Sequence, residues 1–416
     1  MESEFLIIGG GIGGAVLANV LTRGGKQVLV LEKSLAPPPL VRPEVLWPAT
    51  IETLQSILLL GELRKALLPV EGIRFFRSNR PLLSFRRDRK LAADIAGVPC
   101  STDPNLTRQL LLSNGGFQVR RGVSVVGLVR DGSRVVGVRG KDITTGEEVK
   151  FRARWIVGDD GAHSVVRDAC GLGLRIQAVP LDLLCFGFDW PLQLPPATAH
   201  VWINDRWAAS GIPLLAAAPL PNGRGAGLIP VRPWALNDPA CASSGFQAFL
   251  RKNSGAAAVF GGRRFPDDLV RVRTGFGHAP RYGTDGVFLI GDAAHPVTPA
   301  GGQGANLAIA DAVTLAGLLL RDPDSVLADY ESIRRPPAER SLRLSRGARR
   351  VLSLPDAILS RIFPTALGLA GLWPGRFAPV LRLTSTAFQS PPSGAQKLES
   401  ASSASSALRG PVSVSQ

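Results

Sequence analysis

At 416 residues the chain exceeds one compact core and is expected to divide into two or three units. Its 45% hydrophobic residues, 46 glycines and 33 prolines exclude a disordered class and fit a globular α/β chain rich in tight turns. The formal charge of +15 is spread along the chain with no nucleic-acid module beside it, so it implies nonspecific attraction and no nucleic-acid partner.

The first element expected is a buried strand over Phe5–Ile8, followed by a glycine turn and an amphipathic helix through Leu21. Glu2 and Glu4 precede it where a signal peptide carries basic residues, so no export is implied. A second strand over Gln27–Leu31 completes a βαβ unit. The stretch Ile73–Phe85 reads as a hairpin, Leu106–Leu112 as an apolar helix, and the chain after Arg120 as short strands with bends at Asp131-Gly132 and Thr145-Gly146. A short strand over Trp155–Val157 leads back to the glycine-rich edge. Residues 181–273 carry alternating strands such as Ala199–Ile203 and Gly225–Val231 and suggest a β-rich unit. Val287–Ile290 is a further buried strand, followed by a turn and a long helix through Leu320. The apolar stretch Val351–Leu383 is broken by Pro355, Arg361, Pro364, Pro374, Arg376 and Arg382, so it lacks the ~20 uninterrupted apolar residues of a membrane span.

Four scattered cysteines, Cys100, Cys170, Cys185 and Cys241, form neither a CxxC pair nor a Cys/His cluster. No zinc site or disulfide framework is implied, no other metal spacing is present, and reduced thiols in the cytoplasm are expected. Gly9, Gly11 and Gly14 form G-x-G-x-x-G between a strand and a helix, letting the backbone approach a pyrophosphate at the helix N-terminus. Glu32, with Lys33 beside it, ends the second strand, where a carboxylate accepts hydrogen bonds from both ribose hydroxyls of an adenosine. That acid disfavours a 2′-phosphate, so FAD or NAD fits better than NADP.

Two further segments carry a resemblance. Gly158-Asp159-Asp160-Gly161-Ala162-His163-Ser164-Val165-Val166-Arg167 resembles the second nucleotide motif of the flavoprotein aromatic hydroxylases, and Gly291-Asp292-Ala293-Ala294-His295-Pro296 resembles their third. The three motifs stand in family order, and the resemblance to the para-hydroxybenzoate hydroxylase class, related to ubiquinone-pathway hydroxylases and squalene epoxidases, covers about residues 1–345. It implies an α/β fold: a Rossmann-like FAD-binding domain in three parts (1–72, 100–172, 276–350), with a substrate-domain hairpin (73–99) and a β-rich substrate domain (173–275) inserted. A C-terminal apolar helical segment (351–389) and a disordered tail (390–416) follow.

On this resemblance Asp292 holds a ribityl hydroxyl. Gly291 belongs to the same turn, and Gly301, Gly302 and Gly304 clear room for a flat ring. The helix beginning near Gln303 offers the amides of Ala305 and Asn306 to the charge that reduced flavin gathers at N1 and O2. Pro299 matches the proline beside the reactive C4a face. Asp160 and Gly161 match the pair that supports the pyrophosphate and receives a nicotinamide donor, while Asp159 departs from the small residue usual there. Arg42 and Arg108 match arginines near the pyrophosphate and ribityl chain. Arg167 is either a phosphate contact or a structural ion-pair partner, and His163 and His295 are either a proton relay or residues of their turns.

The reaction implied is reduction of FAD by NADH or NADPH, addition of O2 at C4a, and delivery of one oxygen atom by the hydroperoxide to a small, largely apolar substrate. Hydroxylation and epoxidation both remain open. The rival readings are a halogenase, a prenyl reductase and a regulatory flavin-binding protein; Trp202–Trp207 reads WINDRW and lacks the halogenase pattern WxWxIP. Arginines at 340, 343, 346 and 350 recur at helical steps before the apolar C-terminal segment, leaving peripheral membrane contact as a further expectation.

Overall fold

Continuous apolar runs mark strands covered on both faces, and in β1 (Glu2–Ile8) Phe5, Leu6 and Ile7 are completely buried. The computed structural model describes residues 2–37, 42–86, 98–113, 115–205, 207–322 and 326–372. After β1 come α1 (Ile12–Arg23) and β2 (Val28–Glu32). Val16 and Leu17 of α1 are fully buried, each such burial contributing about 1.5–3 kcal/mol. Next are β3 (Glu44–Leu46), α2 (Pro48–Ser56), β4 (Leu67–Pro69), the hairpin β5 (Gly72–Arg77) and β6 (Arg80–Arg86), β7 (Cys100–Thr102) and α3 (Pro104–Ser113). They lead into β8 (Gln118–Arg121), β9 (Val123–Asp131), β10 (Arg134–Asp142), β11 (Glu148–Gly158) and α4 (Val165–Ala169).

The middle of the chain supplies β12 (Asp182–Asp189), β13 (Thr198–Ile203), β14 (Leu214–Pro219), β15 (Arg224–Val231), α5 (Pro239–Arg251), α6 (Ser254–Phe260) and β16 (Val270–Val272). The last third adds β17 (Gly283–Thr284), β18 (Val287–Leu289), α7 (Gly304–Leu319), α8 (Val326–Leu352) and α9 (Asp356–Leu372).

One sheet runs β17-β18-β11-β1-β2-β8, with β10 on β11 and β9 on β10. Its β18-β11-β1-β2-β8 pairings are parallel, and the β9-β10-β11 meander is antiparallel. A second sheet runs β16-β12-β15-β14-β13-β5-β6, and a small one β3-β7-β4. The early hairpin enters the second sheet through the parallel pairing of β5 with β13, Gly72 opposite Thr198. The result is an α/β fold: a Rossmann-like unit with a β-rich unit inserted and helices at its C-terminal side.

Alternation along the second sheet separates two faces. Leu184, Trp202, Leu215 and Ile229 pack against Phe246, Phe249 and Phe260 of α5 and α6. Their neighbours Leu183, Ala199, Leu214, Ala216 and Leu228 take the opposite face and are only half-buried. Beyond this sheet α9 docks beside β6, with Asp356 paired to Arg232 at 2.5 Å and the Phe363 ring 6.5 Å from Trp207. Residues beyond Leu372, the expected tail 390–416 included, lie outside the described residues. Among the described residues no helix is long and apolar enough to cross a membrane.

Candidate flavin site

Three segments far apart in sequence meet at the carboxyl ends of β1, β11 and β18. The chain leaves β1 at Gly9 with φ +102°, a conformation suited to glycine, and a Cβ there would run into the Asp159 carbonyl. A Cβ on Gly14 would stand 2.6 Å from the Gly9 carbonyl oxygen, and one on Gly291 3.4 Å from Asp159 Oδ1. Glycine at 9 and 14 therefore lets the loop lie against the second segment, while Gly291 is favoured by its positive φ. The first helical bond of α1 is Ala15 N to Gly11 O, at 3.0 Å, and Gly14 N donates to Asp159 Oδ2 at 2.8 Å. The Ile12 and Gly13 amides remain at the positive end of the helix for an anionic ligand.

Glu32 sits beside this loop, 8% exposed. Its Oε2 accepts the Gly10 amide at 3.0 Å and Arg108 Nη2 at 3.1 Å, and its Oε1 accepts Ser34 N at 2.8 Å. Arg108 Nε donates to Gly10 O at 2.6 Å, so Arg108 and Glu32 brace the loop as a pair. Lys33 is exposed.

In the second segment Asp160 Oδ2 accepts the Val166 amide at 3.1 Å at the start of α4, and Oδ1 is buried without a partner. Burial raises the Asp160 pKa, while the Ser164 hydroxyl and nearby amides pull it back. Gly161 follows at φ +81°. Arg167 is 2% exposed and donates to the carbonyls of Ala162 (3.0 Å) and Ala293 (3.2 Å), so it ties the second segment to the third.

The third segment turns at Gly291, φ +57°, whose amide donates to Asp311 Oδ2 at 2.9 Å. His295 Nε2 meets the same oxygen at 2.7 Å, and Arg334 Nε donates to Asp311 Oδ1 at 2.7 Å. Burial alone would raise the Asp311 pKa, but His295 and Arg334 outweigh it and hold it below the ordinary carboxylate value. The turn carrying Asp292 is thus anchored from α7 and α8.

Asp292 is reached by solvent yet closely surrounded by protein. That enclosure raises its pKa against the pull of His295 and Arg42. Arg42 pairs with Glu44 at 3.1 Å, and Glu44 Oε2 is buried without a partner. Burial raises the Glu44 pKa, with Arg42 opposing.

Exposed Pro299 begins the loop into α7, in which Gly301 and Gly302 take φ +77° and +61°. Leu307 N to Gln303 O, at 2.9 Å, is the first bond of α7, leaving the amides of Gly304, Ala305 and Asn306 directed at the loop. The Asn306 side chain is fully used: Oδ1 accepts Trp47 N (2.9 Å) and Thr50 Oγ1 (2.6 Å), and Nδ2 donates to Val45 O and Gly302 O. Trp47 Nε1 also donates to Gly301 O at 2.9 Å. Trp47 and Thr50, which sequence reasoning passed over, set the height of this loop.

Arg42 also lies near enough to Cys185 to lower its pKa, against burial that pushes that thiol up to about 11. Cys185 is on β12, on the face of the second sheet away from α5 and α6. That face also carries Leu183, Ala199, Leu214, Ala216, Ala218 and Leu228, so it is apolar, and through Cys185 it comes near Arg42. Among the described residues no cluster of three His, Cys, Asp or Glu is placed to hold a metal.

A family model described as an FAD binding domain matches residues 2–345, and the chain belongs to that FAD-binding family, within the class of flavoprotein aromatic monooxygenases. Rifampicin monooxygenase of Streptomyces venezuelae is 30% identical over 362 residues, 84% of this chain and 72% of its own. The 6-methylpretetramide 4-monooxygenase of Streptomyces rimosus is 30% identical over 405 residues, 92% and 91% of the two chains. Klebsiella pneumoniae HpxO, solved with FAD and uric acid, shares the fold at a TM-score of 0.75 and 20% identity, covering 93% of this chain and 97% of that one. The protein is an FAD-dependent monooxygenase, and its relatives lend no support to the halogenase, reductase or regulatory readings.

Proposed function

We propose that the protein uses NADH or NADPH, FAD and O2 to hydroxylate or epoxidise a small, largely apolar aromatic, quinone-like or lipid-like molecule. The FAD site runs from Gly9, Gly11, Gly14 and Glu32 past Arg42, Arg108, Asp160, Gly161 and Gly291 to Asp292 and the loop Pro299–Asn306. Residues 1–72, 100–172 and 276–350 form the cofactor domain, and 73–99 and 173–275 the substrate domain. The cradle fits such a cofactor chemically: it offers glycines in place of side chains, unused amides at two helix starts, and the unpartnered Oδ1 of Asp160 and Oε2 of Glu44. FAD supplies the electron transfer and oxygen activation that no side chain here provides.

The chain's own contribution is positional. The amides of Gly304, Ala305 and Asn306 favour negative charge on whatever ring rests before α7. The observation carrying the substrate class is the apolar face of the second sheet that comes near Arg42 through Cys185 and offers contact to a flat apolar molecule. Relatives named for rifampicin and 6-methylpretetramide support an aromatic substrate. With Asp160 receiving the donor, Asp160→Ala is expected to slow flavin reduction by NADH or NADPH at least about tenfold while weakening FAD binding less. Stopped-flow reduction at the wild-type rate removes Asp160 from that role.

A peripheral membrane contact is part of the same reading. Leu354, Ile358, Ile362 and Leu369 leave about half their surface exposed beside exposed arginines at 343, 346, 349 and 350. Each arginine near an anionic surface contributes about 1 kcal/mol. Sedimentation with anionic vesicles is expected to carry the protein down, less so in salt, and not after truncation past Arg350. Full-length protein that stays in the supernatant contradicts the contact.

A further inference from the structure

Asp159, where the resembled family has a small residue, is only partly exposed and turns its carboxyl onto the start of α1. Its Oδ2 accepts the Gly14 amide at 2.8 Å, a Cβ on Gly11 would strike that oxygen, and a Cβ on Gly13 would stand 3.1 Å from Oδ1. Gly11 is the N-cap of α1 and has no side chain to bond the first-turn amides. Asp159 supplies from β11's end the oxygen that a Ser or Asp cap would otherwise bring. The same turn holds the Ile12 and Gly13 amides, the donors suited to a pyrophosphate. An ionised carboxylate and a pyrophosphate would then be like charges competing for one small electropositive patch.

We propose that Asp159 makes FAD capture proton-linked: the neutral carboxyl serves as the cap of α1, and its ionisation loosens the hold of the loop on the cofactor. The inference rests on the reading that the FAD pyrophosphate lies at Gly9–Gly14. The surroundings agree. Burial, with Asp160 and Asp292 adding to it, drives the Asp159 pKa well above the ordinary value, while the Gly14 amide and Arg108 pull against it. Facing groups are Asp160 from its own segment, Asp292 from the third segment, Arg108 on α3 with its partner Glu32 on β2, and Tyr330 on α8. From α7 the residue packed nearest is the uncharged Ala308, and the Asp311 carboxylate is committed to His295 and Arg334. Arg108 is thus the one cation among these groups not already committed to Asp311, and it is shared with Glu32.

The sign follows from linkage. A second anion at the loop raises the Asp159 pKa further, so FAD binding takes up a proton, and affinity falls as pH rises through the value in the free protein. Apoprotein is titrated with FAD by flavin fluorescence across the pH range in which the protein stays folded. Calorimetry in buffers of different ionisation enthalpy counts the protons. The dissociation constant is expected to rise with pH by up to about tenfold per unit.

Asp159→Asn, which keeps a capping oxygen without the charge, is expected to bind FAD more tightly at the alkaline end and with a flat profile. Asp159→Ala is expected to show the same flat profile at a lower melting temperature, because the cap is gone. A pure capping role predicts the melting change without any change in the pH profile. Identical pH profiles in wild type and Asp159→Asn, or no proton uptake by wild type, overturn the inference while leaving the FAD site intact. A folded apoprotein that binds no FAD at any pH overturns the cofactor reading, and the inference falls with it.

Discussion

Gly14→Ala is expected to leave a folded protein that retains almost no flavin. The added Cβ would stand 2.6 Å from the Gly9 carbonyl oxygen, 2.9 Å from Asp159 Oδ2 and 3.0 Å from Ile7 Cγ2. The first of these is backbone held in place: Gly9 N bonds Leu31 O, and Asp159 N bonds Ile8 O, each at 2.8 Å. Relief therefore requires α1 to move away from β1, carrying the Ile12 and Gly13 amides with it. A loss of at least tenfold in FAD affinity, about 1.4 kcal/mol or more, is expected. Gly11→Leu brings bulk against the Asp159 carboxyl and is expected to lose flavin as well. Flavin absorbance per mole of protein after gel filtration with excess FAD, with circular dichroism to certify the fold, measures both. Wild-type flavin content in either variant places the pyrophosphate elsewhere.

The second large effect is on stability. Asp311 is completely buried and accepts from Gly291 N, His295 and Arg334, and Arg334 is itself only 6% exposed. Asp311→Ala strands the guanidinium in the interior, which costs about 3–5 kcal/mol when one partner of a buried pair is removed. Urea unfolding of the apoprotein checks this, and Asp311→Asn, which keeps an acceptor for Gly291 N, is expected to recover part of the loss. The pH dependence has a definite sign. Asp311 has a depressed folded pKa, so its contribution is complete above the ordinary value near about 4 and fades as pH falls through the folded value. The alanine variant should therefore lose less stability than wild type below that point. An unchanged urea midpoint would show that Arg334 finds another partner.

These two cases differ in how much the sequence discloses. Gly9, Gly11 and Gly14 announce themselves because a β-turn-α crossing with a close backbone approach needs glycine at fixed, local spacing. The same holds for Gly158–Arg167 and Gly291–Pro296, whose order along the chain carried the family resemblance. Asp311 and Arg334 carry no such mark. Arg334 lies on an amphipathic helix where a charge reads as solvated, Asp311 is a lone acid in an apolar helix, and their pairing exists only once α8 packs on α7.

Trp47 and Glu44 were likewise silent, because their partners Gly301, Asn306 and Arg42 come together through the small β3-β7-β4 sheet. Arg167 was open between two roles, and its carbonyl partners in both motif segments make it structural. His295, bonded to Asp311, is held as a residue of its turn. Asp159 was visible as a departure from the family pattern, yet only the folded loop brings its carboxyl to the first turn of α1.

On the proposed function, one atom of dioxygen passes to an apolar molecule held against the second sheet. The most direct test is mass spectrometry of products formed by FAD-reconstituted protein with NADH or NADPH, an aromatic metabolite panel and isotopically labelled dioxygen. A substrate-dependent product heavier by one labelled oxygen atom is expected, and none when FAD is omitted. Product oxygen drawn from water, or donor oxidation yielding only peroxide with every compound in the panel, would contradict the proposed function.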